Sequence, residues 1–351
     1  MQLDAFKVLF WSVAGFTAAM MWTPLLTGFL YRHRMWRKEV RAKTPDGYVP
    51  VEFQKLHAER EVRVPRMGGL LIWVTATLLT VIGFLVARFT ESPLADKLNL
   101  LSRNQTWLPV ATLIAASLVG LADDVLQVFG RGGYAGGGIR FSRRLAMVTA
   151  IALVGAWWFF FRLDQASVTI PFLGEYALGF WFFPFFVLVM LATFSGGVVD
   201  GIDGLAGGIF ATIFASYAAI AFFQQQYDIA AFCGLLVGAI LAFLWFNVPP
   251  ARFYMTETGV LGLTTTLTVV AFLTNAVAVL PIISFVLVAE SASVILQFLS
   301  KRLRHGKKIF RVAPIHHHFE AIGWPPEKVT MRFWIISAVA ASLGVIIQLL
   351  G

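Results

Sequence analysis

The chain has 351 residues, of which 58% are hydrophobic and only 13% are charged, and its formal net charge is +9. Soluble domains carry about a quarter of their residues as charged ones, so this composition excludes an ordinary water-soluble fold. Clustered Lys and Arg in an apolar chain indicate basic loops on one side of a membrane, so we expect no nucleic acid partner. The single cysteine, Cys233, excludes an intrachain disulfide.

Ten apolar segments approach the length needed to cross a bilayer, which is roughly 20 residues. In chain order they are 8–30, 67–88, 107–122, 145–161, 177–196, 205–224, 229–247, 259–279, 281–299 and 332–350. The first segment is long for a secretory signal and has no cleavage site, so we predict a retained span. The fold class is therefore predicted to be an all-α polytopic membrane protein, with residues 1–351 forming a single integral-membrane domain.

The distribution of basic residues predicts the orientation of these spans. If the first span ends in the cytoplasm, 23 of the 28 Lys and Arg residues fall in inside loops or, for Arg332, at the edge of the last one. These loops are 31–66, 123–144, 197–204, 248–258 and 300–331. Because cytoplasmic loops carry an excess of Lys and Arg, the pattern predicts that both termini lie outside. The basic residues of the first loop could also be topology signals and nothing more.

Five acidic residues fall in or beside the same inside loops, at three separate places. They are Asp123 and Asp124 in GLADD, Asp200 and Asp203 in DGIDGLAGG, and Glu257 in MTETG. Mg²⁺ prefers oxygen ligands, usually one or two carboxylates with water and substrate phosphates. The sequence therefore predicts a divalent cation site at the cytoplasmic face, with Asp200 and Asp203 on one face of a first helical turn. Any one acidic pair could instead be a solvated helix cap.

Three adjacent histidines, His316, His317 and His318, follow Pro314 in the last inside loop. Such a triplet could form a metal site, a pH sensor, a phosphate-binding site or a solvated loop tip. Consecutive histidines cannot all point at one metal, and the usual zinc spacings are absent. Glu290, inside the ninth predicted span, is a candidate functional residue, or a protonated carboxyl bonded to a neighbouring helix.

Taken together, these motifs resemble those of a known family. The run KKIFRVAPIHHHFEAIGWPPEKVTMRFWIIS, preceded by ESASVILQ, resembles the C-terminal part of the phospho-N-acetylmuramoyl-pentapeptide transferases. The runs VPRMGGL, GLADD, DGIDGLAGG and FLWFNVPPARFYMTETG follow the same family order. The histidine motif separates this family from the wider superfamily of polyprenyl-phosphate N-acetylhexosamine-1-phosphate transferases, of which the aspartate motifs are typical.

The resemblance implies an enzyme of peptidoglycan synthesis in the bacterial inner membrane. It would transfer phospho-MurNAc-pentapeptide from UDP-MurNAc-pentapeptide to undecaprenyl phosphate, with Mg²⁺ as cofactor, and would yield lipid I and UMP. The family's tendency to dimerise makes a homodimer a further expectation.

The resemblance also implies a role for each candidate residue. Asp123 would deprotonate or orient the lipid phosphate, with Asp124 beside it, and Glu257 stands where the family has an aspartate that binds Mg²⁺. The substrate-binding residues would be Asp200, Asp203, Asn247 and Tyr254 on the nucleoside side, His316, His317 and His318 at the diphosphate–sugar–peptide end, and Arg144 in place of a lysine.

Several residues depart from the family pattern close to this chemistry. Glu257 replaces the aspartate, Val260 a serine and Gln127 a lysine, while Phe194 and Gly197 replace asparagines. These departures leave open a transferase for another UDP-sugar, such as UDP-GlcNAc, and a catalytically impaired homologue. The sequence also leaves open two functions that are not enzymatic. One is a transporter, which would show broken helices and polar groups at the membrane midplane, and the other is a non-catalytic scaffold.

Overall fold

The computed structural model describes residues 2–38, 62–102, 104–131 and 137–351. The helices are α1 (Gln2–Arg32), α2 (Leu70–Phe89), α3 (Pro93–Leu98), α4 (Asn104–Val128), α5 (Phe141–Arg162), α6 (Phe182–Ser195), α7 (Leu205–Phe223), α8 (Tyr227–Asn247), α9 (Thr256–Leu273), α10 (Leu280–Ile283), α11 (Phe285–Leu303), α12 (Ile315–Ala321) and α13 (Pro326–Leu350). Two 3-10 helices, Gly179–Trp181 and Gly196–Val199, flank α6. Much of the predicted inside loop 31–66, namely 39–61, lies outside the described residues.

The prediction of an all-α polytopic membrane protein is confirmed. Among the described residues, nine helices are long and apolar enough to cross a membrane. They are Leu3–Arg32, Leu70–Phe89, Gln105–Val128, Phe141–Arg162, Gly179–Val199, Leu205–Phe223, Tyr227–Asn247, Thr256–Leu273 and Pro326–Leu350. The other predicted span, 281–299, is also helical, as α10 and α11, but α11 carries Glu290, Lys301 and Arg302 and is less apolar.

Two helices extend well beyond the apolar segments that predicted them. The segments 107–122 and 145–161 became α4, with 25 residues, and α5, with 22 residues. Backbone hydrogen bonding continues past the apolar part of each helix, so polar residues at its ends are also helical. The two adjacent aspartates consequently lie inside the last turns of α4 rather than in a loop after it.

Helix α9 forms the centre of the bundle. Every residue from Thr258 to Leu273 is buried, and the helix packs against α4 and α6. Three of its buried threonines, Thr264, Thr265 and Thr268, donate to carbonyl oxygens one turn earlier, as Thr265 Oγ1 does to the oxygen of Leu261 at 2.7 Å. This back-bonding satisfies hydroxyls that no water could reach. The outer helices, in contrast, expose large apolar side chains such as Leu9, Leu78 and Ile335, as a lipid-facing surface requires.

The two ends of the bundle differ in character. At one end α4 and α9 approach so closely that a Cβ added to Gly120 would lie 2.1 Å from the carbonyl oxygen of Glu257. Helix α5 starts beside this contact, and its 22 residues span about 33 Å. A hairpin that the sequence did not predict follows at the far end, where β1 (Ser167–Ile170) pairs antiparallel with β2 (Gly174–Ala177).

Candidate active site

Asp123, in the last turns of α4, is 1% exposed, and both of its carboxylate oxygens accept hydrogen bonds. Oδ2 accepts from Gln127 Nε2 at 2.6 Å, and Oδ1 accepts from the backbone N–H of Ile139 at 2.5 Å. Gln127 lies one helical turn further on, and its own Oε1 accepts from Arg37, which follows α1. The carboxylate is therefore held in one orientation by donors from two segments.

Asp124 joins α4 to the start of α9. Its Oδ1 lies 3.1 Å from Arg66 Nη2. Its Oδ2 accepts from the hydroxyl of Thr256 at 2.6 Å and from the backbone N–H of Thr258 at 2.9 Å. A carboxylate at a helix N-terminus satisfies free N–H groups and interacts favourably with the helix dipole. Asp124 thus fixes the first turn of α9, which carries Glu257.

The prediction that Glu257 lies in a loop is wrong, because α9 already begins at Thr256. The carboxylates of Asp124 and Asp200 bind the N–H groups of this first turn and extend the helix to include it. Glu257 Oε1 pairs with Nη1 of Arg144, which comes from α5. The same nitrogen lies 3.6 Å from Asp123 Oδ2, so one guanidinium bridges carboxylates from α4 and α9.

Asp200 and Asp203 do not share a face of a helical turn, as the sequence led us to expect. They lie in a turn between the second 3-10 helix and α7, which begins only at Leu205 because Gly204 has a left-handed backbone with φ +79°. Asp200 Oδ2 accepts from the backbone N–H of Thr256 at 2.7 Å, whereas Asp203 Oδ2 accepts from that of Ala251 at 3.1 Å.

The environment of Asp200 makes its carboxyl a stronger base than that of an ordinary aspartate. Burial raises the pKa of Asp200 to about 6, because it outweighs the hydrogen bond from Thr256 and the positive charge of Arg66, both of which lower this pKa. The negative charges of Asp124 and Glu257 raise it further. The charged groups that act on Asp200 are therefore the ones that lie where α4 meets α9.

Asn247 and Tyr254 flank the loop that leads into α9. Asn247, the last residue of α8, is 2% exposed; its Oδ1 accepts from Gly204 N at 3.0 Å and its Nδ2 donates to Phe253 O at 2.8 Å. Its amide therefore ties the Asp200 turn to this loop. Tyr254 is half-buried, and its backbone N–H donates to Pro65 O at 2.9 Å.

The histidine triplet begins α12, and its members have separate partners. His316 Nδ1 lies 2.8 Å from Glu290 Oε2, and His317 Nδ1 lies 2.6 Å from Glu320 Oε2. His318 Nδ1 accepts from the backbone N–H of Arg311 at 3.2 Å. Since His316 and His317 are buried, a solvated loop tip is excluded, and the three rings do not converge on one metal.

Helix α12, which carries the histidine triplet and is called the histidine helix below, contacts the turn that carries Asp200 at Gly201. A Cβ added to Gly201 would lie 2.2 Å from His316 Nε2 and 3.0 Å from His317 Nε2. Gly201 follows Asp200, whose carboxylate binds the first turn of α9. Residues from four distant parts of the sequence therefore form one connected network at one end of the bundle.

The oxygen donors of this network can be compared with the ligands that Mg²⁺ requires. Within the described ranges, no three His, Cys, Asp or Glu side chains are grouped so as to hold a metal ion by themselves. Mg²⁺ in enzymes of phosphate chemistry is held by one or two carboxylates, with the other ligands from water and substrate phosphates. The oxygen donors of Glu257 and its neighbours fit that arrangement, and they do not fit a metal site made of protein alone.

Several residues of the site were not among the sequence candidates. Arg37 and Arg66 had been counted only among the basic residues of the first loop, and Gln127 only as a departure from the family pattern. Glu290 was noted as an unusual intramembrane carboxylate, but its partner His316 lies 26 positions further on. Local sequence contains no signal for such pairs, because their spacing follows from helix packing.

Comparison with known proteins agrees with this architecture. Residues 106–275 match Glycosyl transferase family 4. A phospho-N-acetylmuramoyl-pentapeptide-transferase of Chloroflexus aggregans is 31% identical, with 99% of this chain and 91% of that protein aligned. The proteins of the same name from Listeria innocua and Latilactobacillus sakei are 35% and 32% identical, over 84% and 95% of this chain and 86% and 97% of theirs. The chain therefore belongs to the phospho-N-acetylmuramoyl-pentapeptide-transferase family, and it is a phosphoglycosyl transferase with a multi-pass membrane fold.

Proposed function

We propose that this protein transfers phospho-MurNAc-pentapeptide from UDP-MurNAc-pentapeptide to undecaprenyl phosphate, and that the products are lipid I and UMP. The observation that carries the proposal is the sharing of the Arg144 guanidinium by Asp123 and Glu257, which come from separate helices. The site would face the cytoplasm of a bacterium from its inner membrane, with both termini outside and the protein assembled as a homodimer.

The reaction brings two anions together. An oxygen of the lipid phosphate forms a bond to the β-phosphorus of the nucleotide, and the bond from that phosphorus to the bridging oxygen breaks, so that UMP leaves with that oxygen. Positioning and electrostatic stabilisation supply most of the catalysis in such a transfer. Asp123 would orient the lipid phosphate, because two N–H donors fix its carboxylate, and it would accept the phosphate's proton.

Glu257 would hold Mg²⁺ together with phosphate oxygens of the substrate, and the bound ion would neutralise charge on the diphosphate. Arg66 and Arg144, each paired with a carboxylate of the network, supply fixed positive charge at the same place. Asp124 would act through the protein, by holding the first turn of α9 in position.

The remaining candidates divide between the two ends of the donor substrate. Tyr254 would stack on uracil, while Asp200, Asp203 and Asn247 shape the turn and loop around it through their bonds to backbone N–H and C=O groups. The triplet His316, His317 and His318 would hydrogen-bond the diphosphate–sugar–peptide end. The contact of His316 and His317 with Gly201 supports this division, because it puts the triplet beside the Asp200 turn.

The test is Mg²⁺-dependent release of UMP by the purified protein in detergent with undecaprenyl phosphate. UDP-MurNAc-pentapeptide and UDP-GlcNAc are supplied in parallel, and the lipid product is identified by mass. We expect product from the muramoyl nucleotide, near-total loss with Asp123→Asn, and normal activity with Glu91→Gln, an exposed acidic residue outside the network. Product from UDP-GlcNAc alone would assign another sugar, and no product from either donor would reject the catalytic assignment.

A further inference from the structure

The segment between α1 and α2 supplies one arginine to each of the two adjacent aspartates. Arg66 pairs directly with Asp124 at 3.1 Å. Arg37 reaches Asp123 through Gln127, because it donates to Gln127 Oε1 while Gln127 Nε2 donates to Asp123 Oδ2. These arginines lie on either side of the undescribed range 39–61, and both are directed into the bundle.

The chemistry of the three groups fixes the direction of this chain of hydrogen bonds. A guanidinium can only donate, and an ionised carboxylate can only accept. The amide of Gln127 has an oxygen that accepts and an NH₂ group that donates. Because Arg37 donates to the oxygen, the NH₂ group must face Asp123. Arg37, Gln127 and Asp123 are 6%, 8% and 1% exposed, so water cannot readily replace any member.

We propose that Arg37 is a positioning residue for Asp123. By holding Gln127 Oε1, Arg37 keeps the amide from turning, and the amide NH₂ keeps the Asp123 carboxylate oriented as an acceptor. Without Arg37 the oxygen of Gln127 loses its donor and the amide is held only by Asp123, so the side chain can swing away and leave Asp123 Oδ2 without this donor. The effect on transfer rests on the proposed function, whereas the coupling between Arg37 and Asp123 does not.

The first experiment measures UMP release by Arg37→Gln. A hydrogen bond to a charged group is strong enough that its loss should lower kcat on the order of 10-fold. The KM for the nucleotide sugar should stay within about twofold, because Arg37 does not bind substrate in this proposal. The matched control is Arg34→Gln, which removes the same charge from an exposed residue of the same segment and should behave as wild type.

A rescue variant separates positioning from general damage. The double variant Arg37→Gln, Gln127→Lys puts a positive charge directly beside Asp123 and should recover most of the lost kcat. If Arg37→Gln equals Arg34→Gln, or if it changes KM alone, the proposal is overturned.

The second experiment needs no activity. Melting temperatures are measured for Arg37→Gln, Asp123→Asn and their combination, in the presence of Gln127 and in a Gln127→Met background. Arg37 and Asp123 should be coupled by a shift on the order of 2 °C when Gln127 is present, and the coupling should vanish with Gln127→Met. Additive effects in both backgrounds reject the proposal, even for an active enzyme. Coupling in a protein without transferase activity rejects the proposed function and leaves the positioning role intact.

Discussion

Replacing Gly201 by alanine tests the contact between the histidine helix and the Asp200 turn. The added Cβ would lie 2.2 Å from His316 Nε2 and 2.9 Å from His316 Cε1. The shorter of these distances is about 1.3 Å inside normal van der Waals contact. His316 cannot easily retreat, since it is fully buried and its Nδ1 is bound to Glu290 at 2.8 Å.

The expected cost follows from this overlap. The backbone of Gly201 is not in the left-handed region, so alanine is compatible with its conformation and the cost is steric alone. Forcing a methyl group into a packed core costs about 2 kcal/mol, which corresponds to a loss of roughly 5 °C in melting temperature. Activity should fall as well, because the overlap displaces either the histidine helix or the turn that holds Asp200.

Thermal unfolding in detergent provides the assay, with UMP release as a second readout. Gly28→Ala is the control, because nothing lies within 4 Å of its added Cβ and alanine favours a helix over glycine by about 1 kcal/mol. Adding His316→Ala to Gly201→Ala removes the two shortest contacts, so the double variant should lose less stability than the sum of the singles. If Gly201→Ala melts with the wild type, the contact between Gly201 and His316 does not exist.

Three further predictions concern the acidic residues. Asp123→Asn should lower kcat by on the order of 100-fold or more, because an amide cannot accept the proton of the lipid phosphate; measurable turnover near wild type would remove Asp123 from the mechanism. In metal-free buffer the wild type should gain stability relative to Asp200→Asn as the pH falls from 7.5 through 6, because the folded protein, with an Asp200 pKa of about 6, binds this proton before the unfolded chain does. A difference in melting temperature that does not change over this range would contradict the raised pKa. Asp228→Asn should destabilise by about 2 kcal/mol, because the ammonium of Lys7, which is 4% exposed, loses its ionic partner; an unchanged melting curve would show that the pair contributes nothing.

The overall fold follows from local signals in the sequence. Apolar runs in the sequence identify the nine spanning helices directly. The apolar run that predicts α11 is weaker, because Glu290, Lys301 and Arg302 interrupt the apolar character of this helix. The grouping of acidic motifs near one another follows from their place at corresponding ends of the spans. The hairpin β1–β2 was not predicted, because its strands are only four residues long and, although SVTI in β1 alternates polar and apolar residues, GEYA in β2 does not.

The bonds within the site depend on tertiary packing and were not predictable in this way. Arg66 and Asp124 are 58 positions apart, and Thr256 and Asp124 are 132 apart. Helix α9 begins at Thr256 because the carboxylates of Asp124 in α4 and of Asp200 in the turn before α7 bind its first N–H groups. The sequence of α9 itself contains no signal for this effect. The family resemblance predicts which residues form the site, but it does not predict that Asp124 and Asn247 bind backbone groups.

The burial of α9 has a consequence for how the bilayer influences this enzyme. All residues of α9 except Glu257 are buried, so the helix makes no contact with lipid along its length. Changes in acyl-chain length or membrane thickness act on the outer helices, which can tilt to match them. The carboxylate at the head of α9 feels such adjustments only through its partners, chiefly Arg144 of the lipid-exposed helix α5, so the response of catalysis to membrane thickness should pass through this ion pair.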